Sequence, residues 1–195
     1  MITLGITGGL GVGKTTISKL FKAKNGYMFD ADTIAKQILF HNLDVKREII
    51  EYFGINVIQN GKIDTANLAN LAFANKTNQE ALNNIIHPRV IEEFKHQVEQ
   101  EKQTHDLFIV DAPLIFESGL DAYLDYTIFV FTKFKTRFRQ AINRGNLSLE
   151  QINKRIALQM PEEKKRVLAD FTIDNNGTME DLITQVDLLY KKIVE

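Results

Sequence analysis

Cysteine is absent from the 195-residue chain, and proline occurs only three times. Without thiols the chain can form no disulfide, no thiolate zinc site and no cysteine nucleophile. Prolines and glycines are too few to mark a linker, and we find no internal repeat or low-complexity tract. At this length we expect one domain, with enough residues for a sizeable core and a small inserted lid.

Excess charge of either sign is also lacking, because 24 basic residues balance 25 acidic ones and the formal net charge is −1. Such a chain has no global field that would attract nucleic acid or an anionic membrane. No apolar run approaches membrane-spanning length, and the first residues lack the basic region of a secretory signal. We therefore expect a cytoplasmic protein without nucleic-acid or membrane partners, either a monomer or a small homo-oligomer.

One glycine-rich run follows directly after the apolar segment Ile2–Ile6: Gly8-Gly9-Leu10-Gly11-Val12-Gly13-Lys14-Thr15. It fits G-x-x-x-x-G-K-[ST], in which backbone N–H groups surround a phosphate, the lysine reaches the β- and γ-phosphates and the hydroxyl binds Mg²⁺. Apolar residues continue at helical spacing, so a helix N-terminus would point at the phosphates. A chance glycine-rich turn would not explain strand, lysine, hydroxyl and helix in this order. We assign nucleotide binding to Gly9, Gly11, Val12, Gly13, Lys14, Thr15 and Thr16, with Thr15 also on Mg²⁺.

Strand and helix patterns alternate along the chain. The predicted strands are Ile2–Ile6, Tyr27–Phe29, Leu107–Val110, Thr127–Phe131 and Phe171–Ile173. Their apolar runs are mostly continuous, as in parallel strands covered on both faces. The predicted helices are Thr33–Phe40, Val45–Phe53, Thr65–Phe73, Gln79–Ile86, Pro88–Gln103, Lys135–Arg144, Leu149–Met160 and Met179–Val194. This alternation predicts an α/β fold, a three-layer doubly wound parallel sheet with ligands at the carboxyl ends of the strands.

The segments between the strands suggest how the domain is divided. The stretch after the second strand is too long for one crossover helix, so we expect a helical substrate cap over about residues 33–104, with a surface turn at Asn60-Gly61. A lid would span about residues 133–164, and the core would comprise residues 1–32, 105–132 and 165–195. These parts together form a single kinase-like domain.

Asp111 ends the apolar strand that begins at Leu107. A carboxylate at this place in a nucleoside triphosphate site commonly positions Mg²⁺, often through water. The competing interpretation is that Asp111 only caps the turn that Pro113 starts. We assign Asp111 to the metal.

Asp30 and Asp32 follow the second predicted strand. In this topology that strand end faces the phosphate loop, so one carboxylate can accept a proton from an attacking hydroxyl. Both aspartates could instead cap the next helix. Alternation points the two side chains in different directions, so only one can face the phosphates, and we choose Asp32 as the catalytic base.

The segment Lys133–Arg144 is basic in a nearly neutral protein. Arginines on a movable helical lid can neutralise a transferring phosphoryl group and exclude water, although a solvated basic helix face has the same composition. The four histidines show no metal-ligand spacing, and His87, placed before Pro88 at the expected start of a helix, is more often a cap or a packed ring than a ligand.

Several further blocks accompany these residues in a distinctive order. They are Gly5–Thr16, Asp30-Ala31-Asp32, Ile86-His87-Pro88-Arg89-Val90, Asp111-Ala112-Pro113-Leu114-Ile115-Phe116-Glu117, Arg144 with Leu147-Ser148, Arg155–Gln159 and Ala169–Gly177. Together they resemble the dephospho-coenzyme A kinase family over nearly the whole chain. The resemblance implies a P-loop kinase fold of the nucleotide kinase type. It also implies ATP- and Mg²⁺-dependent phosphorylation of the ribose 3′-hydroxyl of dephospho-coenzyme A.

The resemblance also implies roles for individual residues. Asp32 would be the base and contact the acceptor, Lys14 and Thr15 would hold phosphate and Mg²⁺, and Arg144 would be a catalytic arginine of the lid. The acceptor side would include His87, Pro113, Leu114 and Glu117, and Asn175 would lie near the adenine.

The chain departs from the family pattern in its lid. The family usually has glutamine at the position of Arg137 and arginine at that of Gln140, so the two residue types are exchanged here. Either Arg137 or Arg139 would then replace the missing arginine. A nucleoside or nucleotide kinase would share the loop and lid without needing the His87 and Glu117 blocks. A regulatory GTPase is disfavoured, because Asn75-Lys76-Thr77-Asn78 lacks the aspartate that reads guanine and no glycine follows Asp111.

Overall fold

The structure, a computed structural model, describes residues 1–143, 145 and 148–194. Contacts between Cα atoms divide the chain into two compact units. The first contains Met1–Asp30 and the chain from Gln97 onward, and the second contains Ala31–His96. We refer to them as the sheet unit and the helical unit.

Five of the strands form one parallel sheet in the sheet unit. The strands of the chain are β1 (Ile2–Thr7), β2 (Gly26–Asp30), β3 (Ile58–Gln59), β4 (Lys62–Ile63), β5 (Leu107–Asp111), β6 (Tyr126–Phe131) and β7 (Phe171–Asp174). The order in the sheet is β2-β5-β1-β6-β7, and every neighbouring pair is parallel. This confirms the five predicted strands and the parallel sheet, with β1 at the centre.

Helices follow or separate the strands. They are α1 (Lys14–Lys22), α2 (Ala31–His41), α3 (Leu43–Phe53), α4 (Thr65–Ala72), α5 (Lys76–Glu101), α6 (Ile115–Ser118), α7 (Phe134–Asn143), α8 (Leu149–Leu158), α9 (Glu162–Leu168) and α10 (Met179–Val194). Within the described residues, no helix combines the length and apolar character needed to cross a membrane.

The sheet is covered on both faces because its strands alternate two sets of apolar side chains. On one face, residues such as Leu4 and Ile109 pack with Phe21 of α1 and Val186 of α10. The opposite face receives α6, whose Ile115 lies so close to Gly5 that a side chain there would overlap it. The strands therefore read as continuous apolar runs, as the three-layer prediction requires.

The helical unit has its own core. Val45 and Ile49 of α3 are fully buried, and they belong to an apolar cluster with Val57, Leu68 and Ile85. The strands β3 and β4 form a two-residue antiparallel pair around Asn60 and Gly61, both with positive φ. These angles are typical of the tight hairpin turn that an Asn-Gly pair favours.

Helix α5 corrects a sequence prediction. We expected separate helices at Gln79–Ile86 and Pro88–Gln103, but Lys76–Glu101 is one helix with Pro88 inside it. His87 therefore lies in mid-helix, not at a helix start. Proline removes one backbone N–H, which normally interrupts a helix. The carbonyl that loses its helical partner is that of Asn84, four residues before the proline. The helix continues because the buried side chains of Ile85 and Val90 anchor it on both sides of Pro88. In the same turn the Arg89 side chain donates to the Ile85 carbonyl (3.1 Å).

The region after β6 also differs from expectation. Helices α7 and α8 lie where helices were predicted, but α9 was missed. Its sequence, Glu162-Glu163-Lys164-Lys165-Arg166, has no apolar period that would indicate a helix.

Candidate active site

The glycine-rich run forms a loop between β1 and α1. Gly8, Gly11 and Gly13 have φ angles of 148°, 79° and 90°, which lie in the region that favours glycine. Gly13 directly precedes the first residue of α1. The loop therefore ends at a helix N-terminus, whose backbone N–H groups and dipole suit an anion.

Two side chains from other strands hold the end of this loop. The Val12 carbonyl accepts hydrogen bonds from the Thr132 hydroxyl (3.0 Å) and from Asn175 Nδ2 (2.8 Å). Thr132 follows β6 and Asn175 follows β7. The loop conformation thus depends on the neighbouring strands as well as on its own glycines.

Lys14 is folded back over the loop that it follows. Its Nζ donates to the carbonyls of Gly8 and Gly9, both at 3.2 Å. The side chain is half-buried, and Thr15 beside it is exposed. This geometry places a full positive charge above the loop, within reach of an anion that the loop binds.

Asp111 lies at the carboxyl end of β5 with only 8 % of its surface exposed. Burial raises the pKa of its carboxyl, the Lys14 charge and a hydrogen bond with the Thr15 hydroxyl lower it, and Asp30 raises it. Asp30 is paired with Asp111 in the strand register. A carboxylate hydrogen-bonded to a hydroxyl supplies two of the oxygen ligands that Mg²⁺ prefers, so this pair fits the predicted metal site.

A cavity of about 500 Å³ lies beside the start of α1. Its walls include Gly13, Thr16, Asn175 and the side chains of Gln140 and Asn143, with Met179 and Leu182 as the apolar part. Three amide groups and an apolar wall match the needs of a heterocyclic base. The cavity brings together three residues that were assigned to the nucleotide from sequence.

The block Pro113–Glu117 is tied to α9 by a buried lysine. Lys165 Nζ donates to the Pro113 carbonyl (2.5 Å) and lies 2.7 Å from Glu117 Oε1. Glu117 Oε1 also accepts from the Met160 backbone N–H (2.9 Å). Burial lowers the pKa of Lys165, and the Glu117 charge opposes that effect. Leu114, half-buried, immediately precedes α6.

The two candidate lid arginines differ sharply. Arg137 is 6 % exposed and packs on the phosphate loop at Gly9 and Gly11, whereas Arg139 is exposed. Arg137 Nη1 lies 2.7 Å from Glu162 Oε1. The other predicted lid residue, Arg144, lies outside the described residues.

Two predicted acceptor residues belong to the helical unit. Asp32 is exposed in the first turn of α2, two residues after the end of β2. His87 is half-buried in α5, next to Arg89, which pairs with Glu48 at 2.5 Å. Their roles therefore stay predictions.

The sequence did not indicate three residues that contact the loop or the Pro113–Glu117 block: Glu162, Lys165 and Thr132. Two of them lie in α9, whose run of charges is typical of a solvated surface helix. The sequence offered one signal for α9: Pro161 directly precedes it, and proline is common at the start of a helix.

Comparisons with known proteins identify the family of the chain. A family model described as dephospho-CoA kinase matches residues 2–181. The dephospho-CoA kinase of Fusobacterium nucleatum is 38 % identical over 188 residues, 96 % of each chain. A crystal structure from Thermus thermophilus has a TM-score of 0.82 at 28 % identity and covers 100 % of this chain and 98 % of its own. The dephospho-CoA kinase of Campylobacter jejuni has a TM-score of 0.68 at 27 % identity, with 98 % and 96 % covered.

Proposed function

Because the chain belongs to the dephospho-CoA kinase family, we propose that it transfers the γ-phosphate of ATP to the ribose 3′-hydroxyl of dephospho-coenzyme A. The products are coenzyme A and ADP, and the reaction is the last step of coenzyme A synthesis. The observation that carries the proposal is the phosphate loop, with Lys14 folded over Gly8 and Gly9 and Asp111 beside Thr15.

The loop and its lysine stabilise the negative charge of the phosphates. Phosphoryl transfer requires little covalent chemistry from the protein, so catalysis consists of positioning and electrostatic stabilisation. Backbone N–H groups at the start of α1 bind the phosphates, and Lys14 places its charge where negative charge spreads over the transferring oxygens. The amide-lined cavity receives the adenine, next to Asn175.

Thr15 and Asp111 would hold Mg²⁺, the first through its hydroxyl and the second through its carboxylate. At this position Mg²⁺ would supply positive charge that offsets part of the negative charge of the phosphates. Asp111 is also held in place by the strand pairing of β5 with β1 and β2.

Asp32 accepts the proton of the attacking hydroxyl. It is exposed at the start of α2, where a carboxylate is available to a bound acceptor. On the acceptor side we also place His87, Pro113, Leu114 and Glu117. The buried Lys165 fixes Pro113 and Glu117, so that block presents a rigid surface.

A direct assay tests the reaction. Purified protein is incubated with ATP, Mg²⁺ and dephospho-coenzyme A, and coenzyme A and ADP are measured together by chromatography. The expected result is equimolar formation of both products. GTP replaces ATP in one control, and adenosine replaces dephospho-coenzyme A in another. Transfer to adenosine but not to dephospho-coenzyme A would indicate a nucleoside kinase instead.

Asp32→Asn tests the base, because asparagine keeps the size of the side chain and cannot accept the proton. We expect turnover to fall by about 10²- to 10⁴-fold while ATP affinity changes little. Asp44→Asn is a matched control, since Asp44 is also an exposed aspartate in the first turn of a helix in the same unit.

The outcome with Asp30→Asn completes this test. If Asp30→Asn abolishes transfer and Asp32→Asn retains it, the roles of the two carboxylates are reversed. If both variants stay active, the base is another residue or the reaction proceeds by positioning and charge alone.

Composition supports the remaining parts of the proposal. We place the enzyme in the cytoplasm, in keeping with its family and its lack of cysteine. We propose no nucleic-acid partner, because the balanced charge provides no field for a polyanion. Light scattering during size exclusion decides between the monomer and the small homo-oligomer.

A further inference from the structure

Arg137 occupies an unusual place for an arginine in a basic lid segment. Its side chain is buried, and its Nη1 packs against Gly9 while its backbone carbonyl packs against Gly11. The space over both glycines is filled so closely that a methyl group on either would overlap Arg137. The guanidinium therefore lies on the loop that binds the phosphates.

An acidic side chain shares this position. Glu162, at the first residue of α9, brings Oε1 to 2.7 Å from Arg137 Nη1, and the same oxygen lies over Gly9. The guanidinium also lies over the Phe134 ring, with Cζ 5.1 Å from the ring centre. A carboxylate thus occupies the surface of the loop on which a phosphate oxygen would rest.

The pair is incompletely satisfied. Arg137 Nε and Glu162 Oε1 are buried without a hydrogen-bond partner in the described part of the chain. The Glu162 oxygen meets Nη1 at ion-pair distance, and this contact leaves Nε without an acceptor. A buried donor without an acceptor is costly. A ligand that supplies an acceptor for Arg137 Nε would remove that cost.

The surrounding charges favour an anion. Glu162 faces Arg137, Lys165 and Lys14 as well as Glu163. Lys165 is already paired with Glu117. Burial raises the pKa of Glu162, so its ionised form is held there against a desolvation cost.

We propose that Arg137 is the triphosphate-binding arginine of this lid, and that Glu162 is an internal anion which holds Arg137 on Gly9 until the triphosphate replaces it. The inference rests on the proposed function, in that ATP is the ligand. A triphosphate carries more charge than a carboxylate and accepts paired hydrogen bonds from a guanidinium. It also repels Glu162, so the two anions compete for one cation.

The position of Arg137 explains how the lid can bind phosphate although arginine and glutamine are exchanged in it. Gln140, where the family usually has arginine, lines the cavity assigned to the base. Arg137 is one helical turn earlier in α7, over the loop. Arg139 is exposed and has no part in the arrangement.

Equilibrium binding of ATP without an acceptor tests the proposal, with adenosine as a phosphate-free probe. Arg137→Ala should weaken ATP binding by about tenfold or more, the loss expected for a charge-assisted hydrogen bond. The matched control Arg139→Ala should stay within about twofold. Glu162→Gln should tighten ATP binding by about three- to tenfold, since the competing anion is gone. Adenosine affinity should be unchanged in all three.

Arg137→Ala leaves the half-buried Glu162 without its partner, so the variant can misfold. The double variant Arg137→Gln/Glu162→Gln removes both charges and retains a polar pair, and it should also bind ATP about tenfold more weakly. ATP affinity at the wild-type level in either Arg137 variant overturns the role of Arg137. Unchanged or weaker ATP binding by Glu162→Gln overturns the competition. Neither result depends on dephospho-coenzyme A, so failure of the proposed acceptor would be seen separately, as absence of transfer by the wild-type protein.

Discussion

Lys14 shows how the fold can hold a charge in place before chemistry begins. Its Nζ donates to the carbonyls of Gly8 and Gly9, which engage two of the three N–H donors of the ammonium group. These bonds fix the charge over the glycine-rich loop. Under the proposed function, a charge positioned in this way limits the reorganisation required at the moment of transfer.

Lys14→Ala should lower turnover by about a hundredfold or more, because a preorganised positive charge on the phosphates is lost. The measurement is the steady-state rate of coenzyme A formation, with circular dichroism to confirm the fold. Lys19→Ala is the control, since Lys19 is an exposed lysine of the same helix. Turnover near the wild-type level in folded Lys14→Ala would contradict the assignment of the phosphate loop.

The sequence indicated Lys14 and Thr15 because their spacing follows a motif with a known physical basis, and it indicated Asp111 because this carboxylate ends an apolar strand. It did not indicate Glu162 or Lys165. A charged residue in a charged run is expected to be solvated, and only tertiary packing buries Lys165 and half-buries Glu162. Burial of a charge depends on partners distant in the chain, such as Glu117 and Arg137, which local patterns do not contain.

At the scale of the elements, α9 is a short helix attached through Lys165. Its 1 % exposed side chain reaches the Pro113 carbonyl and Glu117, which lie about fifty residues earlier. This contact joins α9 to the block Pro113–Glu117. Neither apolar side chain of α9 is buried, since Val167 and Leu168 are both exposed.

Lys165→Ala should lower the free energy of unfolding by about 3–5 kcal/mol, because Glu117 would remain buried without its counter-ion. Urea denaturation measures the change. Lys164→Ala is the matched control, since the neighbouring lysine is exposed. The double variant Lys165→Ala/Glu117→Ala should be less destabilised than the two single changes would suggest. A loss under about 1 kcal/mol in Lys165→Ala would mean that the ion pair contributes little.

The N-terminus of α10 carries a reciprocal cap. Asp181 accepts from the backbone N–H and the hydroxyl of Thr178, and Thr178 Oγ1 accepts from the Asp181 N–H. The backbone hydrogen bond from Thr178 is the main reason that the pKa of Asp181 lies below its usual value of 3.8. The ionised carboxylate therefore stabilises the fold at neutral pH.

The sign of the pH effect follows from this lowered pKa. The stabilisation is fully present above pH 3.8 and is lost as the pH falls through the lower pKa of the folded state. Asp181→Asn should reduce the free energy of unfolding at pH 7 and should lack this part of the acid-dependent loss, as measured by urea unfolding at several pH values. Glu180→Gln, an exposed neighbour, should leave the acid-dependent loss as it is in the wild type.

Sequence patterns predicted most elements of the fold. The five parallel strands were predicted correctly because continuous apolar runs of that length are too short for a buried helix and fit a buried strand. Helix α5 was divided in error at Pro88, since the burial of Ile85 and Val90 that anchors the helix across the proline depends on tertiary packing. Helix α9 was missed because the residue that faces the protein interior is the charged Lys165, so the sequence shows no apolar period.

At the scale of the whole molecule, the nucleotide site joins parts that are far apart in the chain. The Val12 carbonyl is held by Thr132 and Asn175, and Arg137 and Glu162 meet over Gly9. Binding of ATP should therefore stabilise the sheet unit as a whole and not only the loop.

ATP with Mg²⁺ should raise the melting temperature by roughly 5–10 °C at about a hundred times its Kd, because a ligand specific for the folded state then adds about 2.7 kcal/mol. Differential scanning fluorimetry measures the shift. GTP at the same concentration should give a smaller shift, and Lys14→Ala should reduce the shift with ATP. Equal shifts for ATP and GTP would contradict a base-selective cavity.

The central position of β1 also has a consequence for synthesis of the chain. β1 leaves the ribosome first, but its sheet partners begin at Leu107 and Tyr126. At about 5–20 residues per second, the ribosome needs at least about 5 s to supply them. Asn175, which holds the loop through Val12, arrives later still. A nascent or truncated chain therefore carries the phosphate-binding sequence without its binding conformation, and ATP can act as a ligand only for a nearly complete protein.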